Sequence, residues 1–194
     1  MKNRIAKKVC AAALAGLMTM ALVPTSVFAA GTMTIGVTSF ADTLEPTEQY
    51  FSWVISRYGV GQGLTKFDEE GNMVPCLATE WTNSEDGKTW TFTIREGVKF
   101  SNGNDMTPEL VKASLERTIE MSNRVPEFFD IDSIEVDGQN ITFNLNRANA
   151  NMAGSLADPL FLIVDTNVDD STFAMEGPIC TGPYAVESFS PTDS

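Results

Sequence analysis

The sequence predicts a mixed α/β fold of the α+β class, and three stretches carry that expectation. Residues 89–95, TWTFTIR, set Trp90, Phe92 and Ile94 on one face and Thr89, Thr91 and Thr93 on the other. That alternation belongs to a half-buried antiparallel strand. Residues 131–147, IDSIEVDGQNITFNLNR, hold two alternating runs, Ile131–Val136 and Ile141–Leu145, around a turn at Asp137–Asn140, which predicts a hairpin. Thr107 stands as an N-cap before Pro108 at a first helical position. Leu110, Val111, Ser114, Leu115, Thr118 and Ile119 then share one helical face as far as Met121.

The remaining elements follow in chain order. Residues 1–29 read as a secretory signal peptide: Lys2, Arg4, Lys7 and Lys8, an uncharged run from Val9 to Val23, then Val27 and Ala29 at the −3 and −1 positions of a cleavage site. Cys10 precedes the apolar run, the wrong side for a lipid-bearing cysteine. TMTIGVT, residues 32–38, reads as a first strand. A helix is expected over Gln49–Tyr58, with apolar residues at 51, 54, 55 and 58, and GVGQG ends it. LTKFDEEGNMVPCLATEW reads as a strand, an acidic turn at Asp68–Asn72 and a second extended piece. Further on come a helical piece near 151–157, a strand at Leu160–Val164, a turn at Thr181-Gly182-Pro183 and a strand from Tyr184.

Composition excludes several functions. The 194 residues carry a net charge of −13, and losing the signal peptide, with four cations and no acid, takes it to −17. A chain this acidic repels phosphate backbones, so no nucleic acid is expected as a partner. The sequence has no histidine, which excludes histidine-dependent triads and histidine-bound metal. No cofactor or metal site is expected. GVGQG lacks the Lys-Ser/Thr ending of a phosphate loop, and Asp130, Asp132 and Asp137 miss the calcium-loop spacing. Asn140-Ile141-Thr142 fits a glycosylation acceptor but falls in a strand. Export permits a Cys76–Cys180 disulfide, beside the alternative of two separate thiols. No enzyme motif stands out, so a non-catalytic protein is expected.

The blocks GLTKFDEEGNMVPCLATEW, SEDGKTWTFTIREGVKFSNG, MTPELVKASLERTIE and GPICTGPYAVESF, in this order, resemble the extracytoplasmic solute-binding proteins of peptide and nickel ABC transporters, solute-binding family 5. The resemblance implies a periplasmic-binding-protein-like fold of two lobes around a ligand cleft. Residues 30–63 would begin the first lobe, 64–165 would form an inserted α+β subdomain, and 166–194 would return to the first lobe, with the second lobe largely missing. It implies an exported monomer, periplasmic or on the outer face of the cell membrane. Its partners would be a peptide or other small solute, with a nickel chelate as one case, and an ABC permease with its cytoplasmic ATPase. A peptide-sensing protein and an exported hydrolase are the alternatives.

Carried over by position, the nickel branch's ligand contacts fall on Gln49, with Tyr50 adjacent, on Val54 and on Arg124. Its tryptophan falls near Glu127 and Phe128, and its second arginine near Asp158-Pro159, where none stands. These departures favour a peptide or another small solute. Arg124 suits a ligand carboxylate, where a guanidinium pairs bidentately, or is a solvated arginine past a helix end. Tyr50 and Trp53 suit a cleft wall or a helix packing face, whereas Phe51, Trp81 and Trp90 read as core. The candidate ligand-binding residues are therefore Gln49, Tyr50, Trp53, Val54 and Arg124.

Overall fold

The computed structural model describes residues 41–191. The signal peptide, Cys10 and the strand expected at Thr32–Thr38 lie outside these residues. The central element is a four-stranded antiparallel sheet of β3 (Ala78–Asn83), β4 (Thr89–Ile94), β5 (Ile131–Asp137) and β6 (Asn140–Leu145), in the order β3-β4-β6-β5. Strand β4 lies inside the sheet, with Trp90 opposite Phe143 and Phe92 opposite Ile141. Its alternation holds in space: Trp90, Phe92 and Ile94 are buried and the threonines between them are half-buried. On the threonine face, Thr91 and Thr142 hydroxyls lie 3.0 Å apart and the Thr93 hydroxyl donates to Asn140 Oδ1 at 2.9 Å. Those cross-strand pairs satisfy the polar face while the aromatic face packs. Phe92 meets Phe143 edge-on at 5.5 Å between ring centroids and lies between Trp81 and Trp90. A smaller ladder pairs β1 (Thr65–Phe67) with β2 (Met73–Pro75) across the acidic turn.

The helix expected after Thr107 is α2 (Pro108–Met121), following α1 (Ser52–Arg57). The Thr107 side chain accepts from the Leu110 amide, and Pro108 occupies a position where no amide hydrogen is needed. Val111 and Leu115 are fully buried against the sheet's apolar side. Ser114, also buried, uses its hydroxyl to accept the Val164 amide at 2.9 Å. A polar residue on this apolar face therefore supplies a bond that the neighbouring segment would otherwise lack.

Two expected strands do not form. Over Leu160–Val164 the chain makes a 3-10 turn at Pro159–Phe161, opened by Pro159 and by Asp158, whose carboxylate accepts from the Leu160 amide. The extended piece that follows spreads its amides over separate acceptors: Ile163 on the Gln62 carbonyl, Val164 on Ser114, Asp165 on the Ile179 carbonyl. No single neighbour runs alongside, so only an isolated bridge between Val164 and Cys180 remains. From Tyr184 onward there is likewise no strand among the described residues. The Tyr184 amide pairs with the Gly59 carbonyl, and Val186 and Phe189 pack by their side chains alone. Helix α1 is shorter than the expected Gln49–Tyr58, because the backbone of Gln49 is left-handed (φ 45°) and cannot belong to it.

Two apolar cores result. One joins the sheet, α2, α3 (Met152–Ser155) and Pro159–Phe161. The other gathers Ala41, Leu44, Ile55, Val60, Leu162, Val164, Phe173 and Cys180, with Phe173 opening α4 (Phe173–Glu176). The segment Leu162–Val164 is common to both, since Ile163 enters the first core while its neighbours enter the second. Cys76 packs on the first core and Cys180 in the second, and both are free thiols. Burial raises the pKa of each above the ordinary thiol range.

The second core is closed by a backbone crossing. The Gly182 amide donates to the Val60 carbonyl at 3.0 Å, and a Cβ on Gly182 would lie 2.1 Å from the Gly59 carbonyl oxygen. Gly182→Ala is therefore expected to lower stability by about 2–3 kcal/mol through forced backbone displacement. Gly71→Ala, with nothing within 4 Å of the added Cβ, should cost only the roughly 1 kcal/mol of its left-handed backbone. Equal urea midpoints for the two variants would contradict this.

Candidate functional site

The segment before α1 is positioned by one carboxylate. Glu45 is 5% exposed, and its oxygens take both terminal nitrogens of Arg117 at 3.0 and 2.8 Å. Glu45 Oε1 also accepts the amide and hydroxyl of Thr47, and the Glu45 amide donates to the Thr43 hydroxyl. Arg117 Nε donates to Asp170 at 2.7 Å, and its guanidinium lies 5.2 Å from the Phe173 ring centroid. Arg117 thus ties α2 both to the segment ahead of α1 and to the turn ahead of α4. Burial pushes the Glu45 carboxyl up, but the Arg117 hydrogen bonds, those of Thr47 and the Arg117 charge outweigh it, and its pKa lies below the usual glutamate range. Burial likewise opposes the Arg117 charge, and the two carboxylates more than restore it.

The chain then turns at Gln49, whose carbonyl accepts from Arg124 Nη1 at 3.1 Å. A non-glycine residue in this backbone region is costly unless its surroundings hold it there. Arg124 is the holding group. Its guanidinium carbon lies 4.1 Å from the Tyr50 ring centroid and 5.7 Å from that of Phe128. Arg124 is only 8% exposed, and its Nε is buried with no hydrogen-bond partner among the described residues. Glu127 lies 3.7 Å from that nitrogen, a charge contact beyond hydrogen-bond reach.

Of the sequence candidates, Gln49, Tyr50 and Arg124 therefore meet directly. Tyr50, in the turn ahead of α1, is 61% exposed, and Trp53, within α1, is 47% exposed. Val54 is half-buried and packs on the second core instead. Glu127 and Phe128 follow Arg124 in the short turn Val125–Glu127, with Phe128 against Arg124. Trp90 is core and Trp81 packs partly buried beside it. Two further residues join this face. Arg57 stands exposed at the end of α1. The Tyr184 ring, 63% exposed, lies over Gly59. The spacing from Tyr50 and Trp53 could have found Arg57; no local signal points to Tyr184, since its approach to Gly59 spans the chain. A separate cavity of about 630 Å³ against α4 is rimmed by Asp169, Glu176 and Glu187, and none of the sequence candidates lines it.

Glu45→Gln should cost about 2–3 kcal/mol at neutral pH, because it leaves the buried Arg117 with Asp170 as its one remaining carboxylate. The sign of the pH effect follows from the lowered Glu45 pKa. The stabilisation is complete above the unfolded value near 4.5 and is lost as pH falls through the folded value. Urea unfolding should therefore show the wild-type advantage shrinking below that pH; a pH-independent gap between the two would refute it.

Residues 72–194 match the family described as bacterial extracellular solute-binding proteins, family 5 middle. The nickel-binding protein NikA of Staphylococcus aureus is 30% identical over 133 residues, 69% of this chain and 26% of that protein. The glutathione-binding protein GsiB of Escherichia coli K12 is 28% identical over 181 residues, 89% of this chain and 35% of that protein. Among solved structures, the nickel ABC transporter protein of Bacillus halodurans superposes with a TM-score of 0.73 at 35% identity, over 79% of this chain and 31% of that one. The chain thus spans about a quarter to a third of the length of the curated relatives it matches.

Proposed function

Because the chain belongs to the bacterial extracellular solute-binding proteins of family 5, we propose that it forms one wall of a solute cleft in an ABC import system. The solute is a peptide or a related small molecule, a nickel chelate included, and it passes to a membrane permease driven by a cytoplasmic ATPase. The protein acts outside the cytoplasm as a monomer and performs no chemical step. Capture works by closure of a second wall over the solute, at a free-energy gain set by how much better the closed state holds it.

The observation that carries this reading is Arg124. It is a nearly buried guanidinium with an unpartnered Nε, stacked on an exposed tyrosine. Solute sites pair aromatic surface with a few fixed polar groups. Arg124 is fixed by the Gln49 carbonyl and by the Tyr50 ring, with Glu127 3.7 Å away, so a carboxylate that reaches its guanidinium meets a group already ordered. Gln49, Tyr50, Trp53 and Arg124 then form the contact surface, and Val54 supports α1 from beneath. The division into residues 30–63, 64–165 and 166–194 fits this reading. The first core draws on residues 64–163 and on the partly buried Ile179 at its edge, and the second on residues from both flanks together with Leu162 and Val164.

Relatives named for nickel and for glutathione set the solutes to try. Saturation-transfer NMR with glutathione, short peptides and a nickel–histidine complex should show saturable binding of at least one. Tyr50→Ala should weaken it about tenfold by removing the stacked ring. Cleavage of a bound peptide, or binding indifferent to Tyr50, would overturn the reading.

A further inference from the structure

The exposed side of α1 carries a charge as well as rings. Tyr50, Trp53 and Arg57 recur at i, i+3 and i+7 and are exposed, while Ser52 and Ile55 between them are buried. Trp53 and Arg57, four residues apart in α1, share one helical face, and Tyr50 stands in the turn just ahead of that helix. The Arg124 guanidinium lies over Tyr50 at one end of this stripe. Tyr184 closes the other end, its ring against Gly59. Within α1 the rise from Trp53 to Arg57 is about 6 Å.

Arg57 differs from its counterparts. Arg117, Arg124 and Arg147 each face a carboxylate, and Arg95 donates to the Cys76 carbonyl. Arg57 has no ion pair and no side-chain hydrogen bond among the described residues. Among the described residues Arg57 and Arg95 are the arginines without a carboxylate, Arg57 alone has no side-chain partner, and it stands one turn beyond the exposed Trp53. Its place in the last turn of α1 gives it a favourable helix-end interaction. A six-residue helix needs little of that, and the interaction requires neither a guanidinium nor flanking rings.

We propose that Arg57 is a second cationic contact of the solute site. The site then takes a solute with two carboxylates, one set toward Arg124 and one toward Arg57, as in an acidic short peptide or a polycarboxylate chelate. This rests on the solute-binding reading above. The aromatic rings between the two cations accommodate the uncharged middle of such a solute and allow its length to vary.

The test titrates the full chain by calorimetry with glutathione, which has two carboxylates, and with trialanine, which has one. Arg57→Gln should weaken glutathione about tenfold, the worth of one charge-assisted contact. It should change trialanine less than about twofold, and raised salt should narrow the difference. Arg57→Lys should fall between wild type and Arg57→Gln, with melting temperatures alike in all three. Unchanged or equal losses for both solutes, with Tyr50→Ala still weakening binding, overturn the Arg57 contact and leave the solute site standing. A lower melting temperature in Arg57→Gln without any difference between solutes assigns Arg57 to the helix end and overturns it too. Failure of the wild-type chain to bind either solute removes the solute-binding reading and this proposal together.

Discussion

The bidentate pair between Glu45 and Arg117 is the contact on which the candidate site depends. Residues 41–51 before α1 contain no helix or strand, so regular backbone bonding cannot fix them. Their position comes from the side-chain acceptors Thr43 and Glu45, from the Gln49 backbone carbonyl held by Arg124, and from the Leu44 amide on the Ala174 carbonyl. A buried pair of this kind adds little net stability compared with apolar packing, since both charges lose their water. What it supplies is a single geometry. The planar fork of Arg117 fits the Glu45 carboxylate in one orientation and turns its third nitrogen to Asp170. The segment that presents Tyr50 is thereby fixed in two places, by Arg117 and by Arg124, both carried on or just beyond α2.

Helix α2 therefore has two functions on opposite flanks. Val111 and Leu115 bury it against the sheet, and that burial gives it a rigid base. From this base Arg117 and Arg124 reach the preceding segment, 72 and 75 residues earlier in the chain for their hydrogen bonds. Rigid scaffold and irregular loop divide the work in the usual way: packing sets position, and the loop carries the exposed groups. The strain at Gln49 fits this division. A left-handed backbone at a non-glycine residue persists because the Arg124 bond holds its carbonyl, and the consequence is a tyrosine ring turned outward beside a guanidinium.

Legibility in the sequence followed the range of the interactions. Strand β4, the β5–β6 hairpin and α2 were readable almost to the residue, because alternation, a turn and a cap are local signals. Leu160–Val164 misled because its alternation is real, with Ile163 facing one core and its neighbours the other. Alternation reports which way side chains point and says nothing of whether a neighbouring strand runs alongside. Tyr184 failed for the same reason. At the site, the meeting of Tyr50 with Arg124 was open to family resemblance and closed to any local pattern. Arg57 was within reach, being a helical repeat of Tyr50 and Trp53, but a lone exposed arginine says nothing until its lack of an acid partner is seen.

The charge of the chain sharpens the significance of that arginine. At −13 overall, the protein offers an approaching anion a repulsive field at long range. Screening at physiological salt limits that field to about 8 Å, so what an anion meets at contact is decided by its nearest groups. Five of the nine described lysines and arginines lie against carboxylates, as Arg117 does against Glu45 and Asp170, and present little net charge. Cations able to receive a solute carboxylate must be ones the protein has left without an acid partner, or holds with a nitrogen still unbonded. Among the described residues Arg57 meets the first condition, and Arg124, whose charge contact with Glu127 lies beyond hydrogen-bond reach, comes near the second. On the proposed reading, two such cations beside exposed rings on an acidic surface would repel polyanions as a whole while offering contact points to a small solute whose charges match their spacing, which is selectivity obtained from the arrangement of charge rather than its amount.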